Sequence, residues 1–204
     1  MFEFICAVKW KWWMLKTRYF YKVFFGAMGE QCTICKPMRL IHPERMHFGK
    51  HIRIREFARL EAIVEYNEQR LSPKLEISDD TGFEQGLHMT CGESIYIGKN
   101  CCIMPYVMIT DCTHCYDDLH INVLNQKLIT DPVKIGDCCF IGIGARIMPG
   151  THIGRHCIVG ANSVVVGAYP DYCVLGGVPA RCIKRYDVES RKWRRTDSKG
   201  NFLE

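Results

Sequence analysis

The side chains best suited to proton transfer lie in one stretch, residues 110–132, which reads TDCTHCYDDLHINVLNQKLITDP. It contains His114 and His120 together with Asp111, Asp117 and Asp118. The pKa of a free imidazole is close to neutral, so a histidine can take a proton from a hydroxyl group while a carboxylate holds its second ring nitrogen. The stretch therefore predicts a site of general-base catalysis, and the residues alone leave open which carboxylate orients the histidine.

Two Cys-x-x-Cys pairs offer a different chemistry. Cys32 and Cys35 form one pair, and Cys112 and Cys115 form the other. Four thiolates from the two pairs could ligate zinc. Alternatively, Cys112 or Cys115 could act as a nucleophile that carries an acyl group. The pairs lie far apart in the sequence and direct acyl transfer needs no thiol nucleophile, so we expect neither a metal site nor a covalent intermediate.

The rest of the chain is dominated by an aliphatic or aromatic residue at every sixth position, in runs of three. The runs are Phe48, Ile54 and Leu60; Ile77, Phe83 and Met89; Ile97, Ile103 and Ile109; Ile135, Ile141 and Ile147; and Ile153, Val159 and Val165. A period of six fits neither a helix nor a flat strand, and it is typical of a β-helix built from hexapeptide repeats. Each run of three predicts one triangular coil of three short strands, and the next coil stacks on it.

Between Val133 and Gly167, the residues two positions before the aliphatics are small, which tests the prediction. In the last two runs they are Val133, Cys139, Ala145, Thr151, Cys157 and Ser163, and Cys101 fits the same rule. Side chains alternate along a strand, so these residues must also point inward, where a narrow prism has room for only one large side chain. We therefore interpret Cys101, Cys139 and Cys157 as small buried groups. Glycines that follow the aliphatics, such as Gly136 and Gly154, are predicted to turn the corners.

Composition limits the functional class. The chain has 204 residues, of which 48% are hydrophobic, and a net charge of +5, with no basic stripe that would indicate a nucleic-acid partner. There are 13 cysteines, and no apolar run is long enough to cross a bilayer. These features predict a protein of the reducing cytoplasm.

Three regions are expected. Residues 1–40 lack the period and are rich in tryptophan, phenylalanine and lysine, which predicts a helical cap over the open end of the prism. The alternative for this region is a helix that lies on a membrane surface, which for a cytoplasmic protein would be the surface of the inner membrane. Residues 41–186 form the repeat domain with its loop 110–132, and residues 187–204 are expected to form a short helix and a frayed tail.

Two segments resemble a known family. The run VLGGVPARCIK at Val174–Lys184 and the repeats IGARIMPGTHIGRHCIVGANSVV are similar to those of hexapeptide-repeat acyltransferases. The second of these segments resembles the branch of the sugar O-acetyltransferases, which includes galactoside, maltose and surface-polysaccharide acetyltransferases. The resemblance implies an all-β, left-handed parallel β-helix and a homotrimer that binds acetyl-CoA between neighbouring prisms. It also implies acetyl transfer to a hydroxyl of a sugar or of a surface-polysaccharide precursor, with transfer to an amino sugar as the nearest alternative.

The resemblance further implies roles for single residues. The spacing His-x-Tyr-x-Asp, which His114, Tyr116 and Asp118 fit, assigns the general base to His114. Asp117 is our choice of catalytic partner among the three carboxylates that the sequence leaves open. Glu84 and His88 match positions near the acceptor, although the family's galactoside members carry an amide where Glu84 stands. The positions expected to contact acetyl-CoA are Gly142, Ile143, Ala161, Val166 and Gly167 along its groove and Arg181 and Lys184 at its phosphates.

Two further alternatives stay open. Some β-helices of this type are carbonic anhydrases, but these need three metal-binding histidines, and His152 and His156 have no correctly spaced third partner. A scaffold without catalysis would need neither His114 nor the basic side chain of Arg181.

Overall fold

The computed structural model describes residues 2–197 and 200–203. The first part of the chain forms one α-helix and the first strands. Helix α1 spans Phe2–Tyr19, and 3-10 turns follow at Tyr21–Phe24 and Pro43–Arg45. The strands are β1 (Ala27–Met28), β2 (Thr33–Ile34), β3 (Arg39–Ile41), β4 (Met46–Phe48), β5 (Arg53–Ile54), β6 (Arg59–Ala62), β7 (Glu65–Tyr66) and β8 (Gln69–Arg70).

The middle of the chain continues the same succession of short strands. They are β9 (Lys74–Ile77), β10 (Gly82–Phe83), β11 (His88–Cys91), β12 (Ser94–Ile97), β13 (Cys102–Ile103), β14 (Met108–Thr110), β15 (Cys112–His114) and, after a 3-10 turn at Val123–Asn125, β16 (Leu128–Thr130).

The last part adds two complete coils and an ending. Its strands are β17 (Val133–Ile135), β18 (Phe140–Ile141), β19 (Arg146–Ile147), β20 (His152–Ile153), β21 (Ile158–Val159), β22 (Val164–Val165), β23 (Ala168–Tyr169), β24 (Cys173–Gly177), β25 (Ala180–Asp187) and β26 (Lys192–Arg195).

Three parallel sheets form the sides of a prism, and successive strands visit them in turn. The first sheet has the order β1-β4-β9-β12-β17-β20-β23, the second begins β2-β5-β10-β13-β18-β21-β24, and the third is β3-β6-β11-β14-β19-β22. The register places each predicted aliphatic on its equivalent in the next coil, for example Ile103 beside Ile141 and Ile109 beside Ile147. All fifteen residues of the predicted runs are buried, which confirms the hexapeptide coil.

The small residues inside the prism carry a second regularity. In the second sheet, the thiols of Cys101 and Cys139 lie 3.2 Å and 3.1 Å from the carbonyl oxygens of Gly136 and Gly154 in the following coil, and they donate to them. Thr81 makes the same contact through its hydroxyl, 2.9 Å from the carbonyl oxygen of Gly98. These side chains therefore fill the narrow space and also satisfy a buried corner carbonyl.

The corner glycines have a reason that differs from the predicted one. A Cβ on Gly136 would lie 2.7 Å from the Arg155 nitrogen, and a Cβ on Gly154 would lie 2.5 Å from the Asp171 nitrogen. The residues that adopt the left-handed backbone conformation at these corners are instead Cys138 and His156, whose φ angles are 59° and 53°. These two glycines are therefore required by the close approach of the next coil rather than by a sharp turn.

Both ends of the prism differ from the expectation. The coils begin before residue 41, because β1, β2 and β3 already pair in the three sheets. The predicted C-terminal helix is wrong, because residues 180–195 form an antiparallel hairpin that extends the second sheet from β24 through β25 to β26. Cross-strand packing explains the hairpin: the rings of Tyr186 and Trp193 lie opposite each other, 5.5 Å apart.

Helix α1 covers an edge of the second sheet. Its Thr17 hydroxyl accepts a hydrogen bond from the Ile34 N–H at 2.8 Å, which satisfies a donor at the exposed side of β2. The guanidinium of Arg55 lies over the ring of Trp10, seven residues before Thr17, at 5.7 Å from the centre of that ring. Within the described part of the chain, no helix combines the length and apolarity that are needed to cross a bilayer.

The column of small residues yields a prediction about Cys139. Thr and Val have nearly the same shape, but only Thr can donate to the Gly154 carbonyl. We expect Cys139→Val to be less stable than Cys139→Thr by about 1 kcal/mol, because the carbonyl loses its donor. Urea unfolding of the two variants measures the difference, and since both add the same volume, equal stabilities would contradict the role of the donor.

Candidate active site

A groove of about 740 Å³ runs over the outer face of the third sheet. The sheet supplies its floor, where the register sets Arg59 beside His88 and Glu61 beside Thr90 on β6 and β11. One wall is formed by the hairpin β15–β16, which contributes His114. The structure thus brings two of the predicted site residues, His88 and His114, to the same groove.

His114 is held at the end of β15. Antiparallel pairing sets it opposite Leu128, and its imidazole meets the ring of Tyr66 edge-on, with the ring centres 5.3 Å apart. The side chain is half-buried, and its Nδ1 is enclosed without a hydrogen-bond partner among the described residues. One ring nitrogen is therefore shielded from solvent, and no hydrogen bond from a described residue sets the tautomer of this histidine.

None of the three nearby carboxylates contacts His114. Asp111 is fully buried and accepts the N–H groups of Gly92, Glu93 and Ser94 at 2.6–2.8 Å, so it fixes the turn between β11 and β12. Asp117 lies 3.5 Å from the Cys115 thiol. The predicted partnership of Asp117 with His114 therefore has no contact to support it and stays a prediction.

Asp118 is engaged within its own loop. Its carboxylate accepts the N–H of His120 at 2.8 Å, and its carbonyl accepts from the Gln126 amide, also at 2.8 Å. These bonds shape the tip of the hairpin. His120 is exposed and is absent from the lining of the groove, which favours His114 as the base.

A second insertion holds the hairpin that carries His114. Strands β7 and β8 form a tight hairpin whose two turn residues, Asn67 and Glu68, both have positive φ. The Tyr66 hydroxyl and the Asn67 amide both donate to the Leu124 carbonyl, at 2.6 Å and 2.7 Å. Gln69 exchanges two hydrogen bonds with the backbone of Leu128, at 2.8 Å and 3.1 Å.

The two insertions meet because they leave the prism at the same edge. Each replaces a turn between the third and the first sheet, β6 to β9 in one coil and β14 to β17 two coils later. The coil between them makes this turn, from β11 to β12, with only two residues, Gly92 and Glu93, and the Asp111 carboxylate anchors that turn. We call the contact of Tyr66, Asn67 and Gln69 with the hairpin β15–β16 the clasp.

An ion-pair cluster around the buried carboxylate of Glu61 lies on the floor of the groove. The Glu61 side chain is 9% exposed, and its two oxygens lie 2.6 Å from Arg39 Nε and 2.6 Å from Arg59 Nη2. His88 stands beside Arg59, and burial of its imidazole, followed by the charge of Arg59, lowers the pKa of His88. His88 is therefore neutral over a wider pH range than a free histidine, and it lies 3.2 Å from the Thr90 hydroxyl.

Glu84 lies on a different face from His114 and His88. It follows β10 in the second sheet, where its carboxylate is 3.6 Å from Arg55 Nε, close to Trp10 of helix α1. Within one chain the structure does not bring Glu84 to the groove. Glu84 could contact a bound acceptor only in the groove of a neighbouring protomer.

The residues expected to bind the cofactor are divided between two edges of the prism. Gly142, Ile143 and Ala161 lie at the corner between the second and third sheets, whereas Val166 and Gly167 follow β22 at the next corner. A Cβ on Gly142 would lie 2.8 Å from the Ala161 nitrogen, so this glycine is also required by the stacking of the coils.

The basic candidates lie on the terminal hairpin. Arg181 and Lys184 are both exposed on β25. Arg181 lines a depression of about 280 Å³ together with Arg185 and Tyr169, and Lys184 lies outside it. Arg185 was not identified from the sequence, although it is adjacent to Lys184 in the same basic run.

The cysteine pairs lack the surroundings of reactive thiols. Burial raises the pKa of Cys35 to about 11 and the pKa of Cys112 to about 11, so both thiols stay protonated at neutral pH. Among residues 2–197 and 200–203, no three His, Cys, Asp or Glu side chains are grouped so as to hold a metal ion.

Comparison with known proteins agrees with this architecture. Residues 132–167, which span β17 to β22, match the family model described as bacterial transferase hexapeptide, six repeats. This part of the chain is therefore similar to the hexapeptide repeats of that family.

The proteins to which this chain is similar include bacterial acetyltransferases by name. WbbJ of Escherichia coli, assigned by name to O-acetyl transfer in lipopolysaccharide biosynthesis, is 35% identical over 124 residues, which cover 57% of this chain and 63% of WbbJ. Rv3034c of Mycobacterium tuberculosis, named as a probable acetyltransferase, is 33% identical over 115 residues, 56% of this chain and 36% of that protein. The chain thus spans between a third and two thirds of the length of these relatives.

A solved structure supports the fold. The N-acyltransferase AntD from Bacillus cereus, in complex with dTDP and 3-hydroxybutyryl-CoA, superimposes with a TM-score of 0.69 and 20% sequence identity. The match covers 85% of this chain and 90% of AntD.

The sequence reasoning missed the clasp and the ion-pair cluster. A signal for the clasp exists, because Leu60 is followed by Ile77 seventeen positions later, where the hexapeptide repeat requires six. The extra residues include Tyr66 and Gln69. Glu61 gave no signal, because an outward-facing charged residue is ordinary in such a coil.

The clasp predicts that Gln69 restrains the hairpin β15–β16, which carries His114. Gln69→Ala removes both bonds to Leu128, and we expect the amides of β15 and β16 to exchange about tenfold faster. Hydrogen–deuterium exchange measures this. Gln85→Ala, in a turn before β11 at another edge, is the matched control, and equal exchange in both variants would contradict the restraint.

The cluster predicts opposite pKa shifts at His88. The negative charge of Glu61 raises the pKa of His88 and the positive charge of Arg59 lowers it. Glu61→Gln should therefore lower the pKa further, and Arg59→Gln should raise it. Titration of the His88 resonance by NMR, identified with His88→Gln, measures both, and shifts in the same direction would refute this electrostatic control.

Proposed function

We propose that this protein is an enzyme that transfers an acetyl group from acetyl-CoA to a hydroxyl of a sugar or of a surface-polysaccharide precursor. The observation that carries the proposal is His114, half-buried at the wall of a groove of about 740 Å³ with one ring nitrogen enclosed. The name of WbbJ, a relative 35% identical over 124 residues, supports the reaction and the class of acceptor.

His114 is the proposed general base. It takes the proton of the acceptor hydroxyl while that oxygen attacks the thioester carbonyl, which gives a tetrahedral intermediate. The intermediate collapses with cleavage of the carbon–sulfur bond, and the proton carried by His114 passes to the departing CoA sulfur. The acetyl ester and free CoA are the products, so atoms and charge balance without a metal or a covalent enzyme intermediate.

Acetyl-CoA is the proposed donor, and AntD, which shares the fold, was crystallised with an acyl-CoA. Along its groove we propose Gly142, Ile143, Ala161, Val166 and Gly167, with Arg181 and Lys184 at its phosphate groups. These residues occupy two edges of one prism. A single CoA could contact both sets only between two protomers, which favours a homotrimer of left-handed β-helices.

The groove floor is the proposed acceptor site. Glu61, His88 and Thr90 offer hydrogen-bonding groups suited to hydroxyls, and the charge of Glu61 is balanced by Arg39 and Arg59. In a trimer, Glu84 could reach this site from the neighbouring protomer. The free thiols of the chain favour the cytoplasm as its compartment.

An acceptor screen tests the proposal. Purified protein is incubated with acetyl-CoA and a panel of sugars, amino sugars and nucleotide sugars, and release of the CoA thiol is measured. Ester formation on a hydroxyl sugar supports the proposal. Amide formation on amino sugars alone would replace it with N-acetyl transfer, and binding of acetyl-CoA without turnover on any member would favour a scaffold.

Removal of the imidazole should abolish most of the turnover. We expect His114→Gln to lower kcat by about 10²–10⁴-fold, the usual contribution of a general base. Oligomeric state and acetyl-CoA affinity should be unchanged, as measured by sedimentation and calorimetry. Full activity in His114→Gln would exclude this residue as the base, and His120→Gln is the matched control.

A further inference from the structure

Helix α1 has two apolar faces, and only one of them is covered. Trp10, Trp13 and Thr17 are spaced three and four residues apart and face the body of the protein, where Thr17 bonds the edge of β2. The other face carries Phe4, Val8, Trp12, Leu15 and Tyr19, whose exposed fractions are 73%, 51%, 62%, 52% and 68%. We call these five residues the outer stripe.

The outer stripe is continuous. At 3.6 residues per turn its five residues fall within less than a quarter of the helix circumference, along a helix of about 27 Å. Phe20, Val23 and Phe24, in and next to the following 3-10 turn, are also exposed and prolong the apolar surface. Single exposed apolar residues are ordinary in proteins, but a contiguous strip of large ones marks an interaction surface.

Positive charges border the stripe on both sides. The same helical geometry puts Lys11 and Arg18 on one flank and Lys9 and Lys16 on the other. The only acidic residue of the helix is Glu3, in its first turn. A surface with aromatic and aliphatic residues in the middle and lysine or arginine on each side complements a bilayer, whose acyl chains accept the former and whose anionic headgroups accept the latter.

We propose that helix α1 docks this protein on an anionic phospholipid surface, with the outer stripe immersed among the acyl chains and the four flanking cations at the headgroups. Trp10, Trp13 and Thr17 keep the helix attached to the prism at the same time. The docking is peripheral and reversible. It is independent of acetyl transfer, so its test does not depend on the proposed reaction.

Flotation with vesicles tests the docking of the full chain. We expect binding to vesicles of equal parts phosphatidylglycerol and phosphatidylcholine, and much weaker binding to phosphatidylcholine alone. Leu15→Glu should lower the partition coefficient at least about tenfold, because a charge would enter the apolar layer. Val188→Glu is the matched control, since it makes the same change at an exposed site of the terminal hairpin and should bind like the unmodified protein.

The cationic flanks are tested separately. Lys9→Gln and Arg18→Gln should each weaken binding to the anionic vesicles about fivefold, and added salt should weaken it further. Loss in Leu15→Glu with an unchanged oligomeric state supports the proposal. Flotation of Leu15→Glu equal to that of the control would overturn it, and so would dissociation of the assembly in this variant, because a second copy would then be what covers the stripe.

Discussion

The whole molecule depends on one constraint, the in-register stacking of parallel coils. Every strand of the prism bonds to its equivalent one coil away, so each inward side chain rests on the same position of its neighbours. The aliphatic columns follow from that. Slim residues stand beside them in the last two coils, whereas the earlier coils also bury large residues two positions before the aliphatics, so the expectation of one large residue per side is wrong there; these are Met46, Ile52, Leu75, Leu87 and Ile95. The same constraint excludes insertions from the strands, since an added residue would turn its inward side chains outward. Extra chain can therefore leave the prism only at its corners.

The candidate site is a consequence of that restriction. Two insertions leave the same edge, separated by a coil that turns tightly, and they must meet above the third sheet. Their contact is specific, because Gln69 and Asn67 bond to backbone groups of the hairpin that carries His114. Asp111 lies close to His114 in the sequence and was a candidate for the catalytic carboxylate. Its carboxylate instead anchors the tight turn between β11 and β12, in the coil between the two insertions. The coil thus supplies a rigid floor with an ordered ion-pair cluster, and the insertions supply a wall with a histidine.

The features with a period were accessible from the sequence, and those without one were not. The burial of Ile103, Ile141 and Ile147 followed from spacing alone, because the inside of the prism accepts one pattern. His114 was predicted from a resemblance to relatives. Its contact with Tyr66 could not be predicted, because that contact joins two insertions whose sequences share no pattern. The helix predicted for the C-terminal tail was wrong for a related reason. A charged run suggested a helix, but β24 presents an edge that needs a partner, and the pairing of Tyr186 with Trp193 decided the structure.

The terminal hairpin also limits how this architecture can grow. A solenoid lengthens when another coil adds three parallel strands to its last layer. Here β25 runs antiparallel to β24 and β26 runs antiparallel to β25, so the second side ends in strands of alternating direction. A new coil placed after them would find no parallel partner on that side. Duplication of repeats can thus lengthen the prism only upstream of β24, and end-to-end polymerisation through this end is blocked by the same reversal.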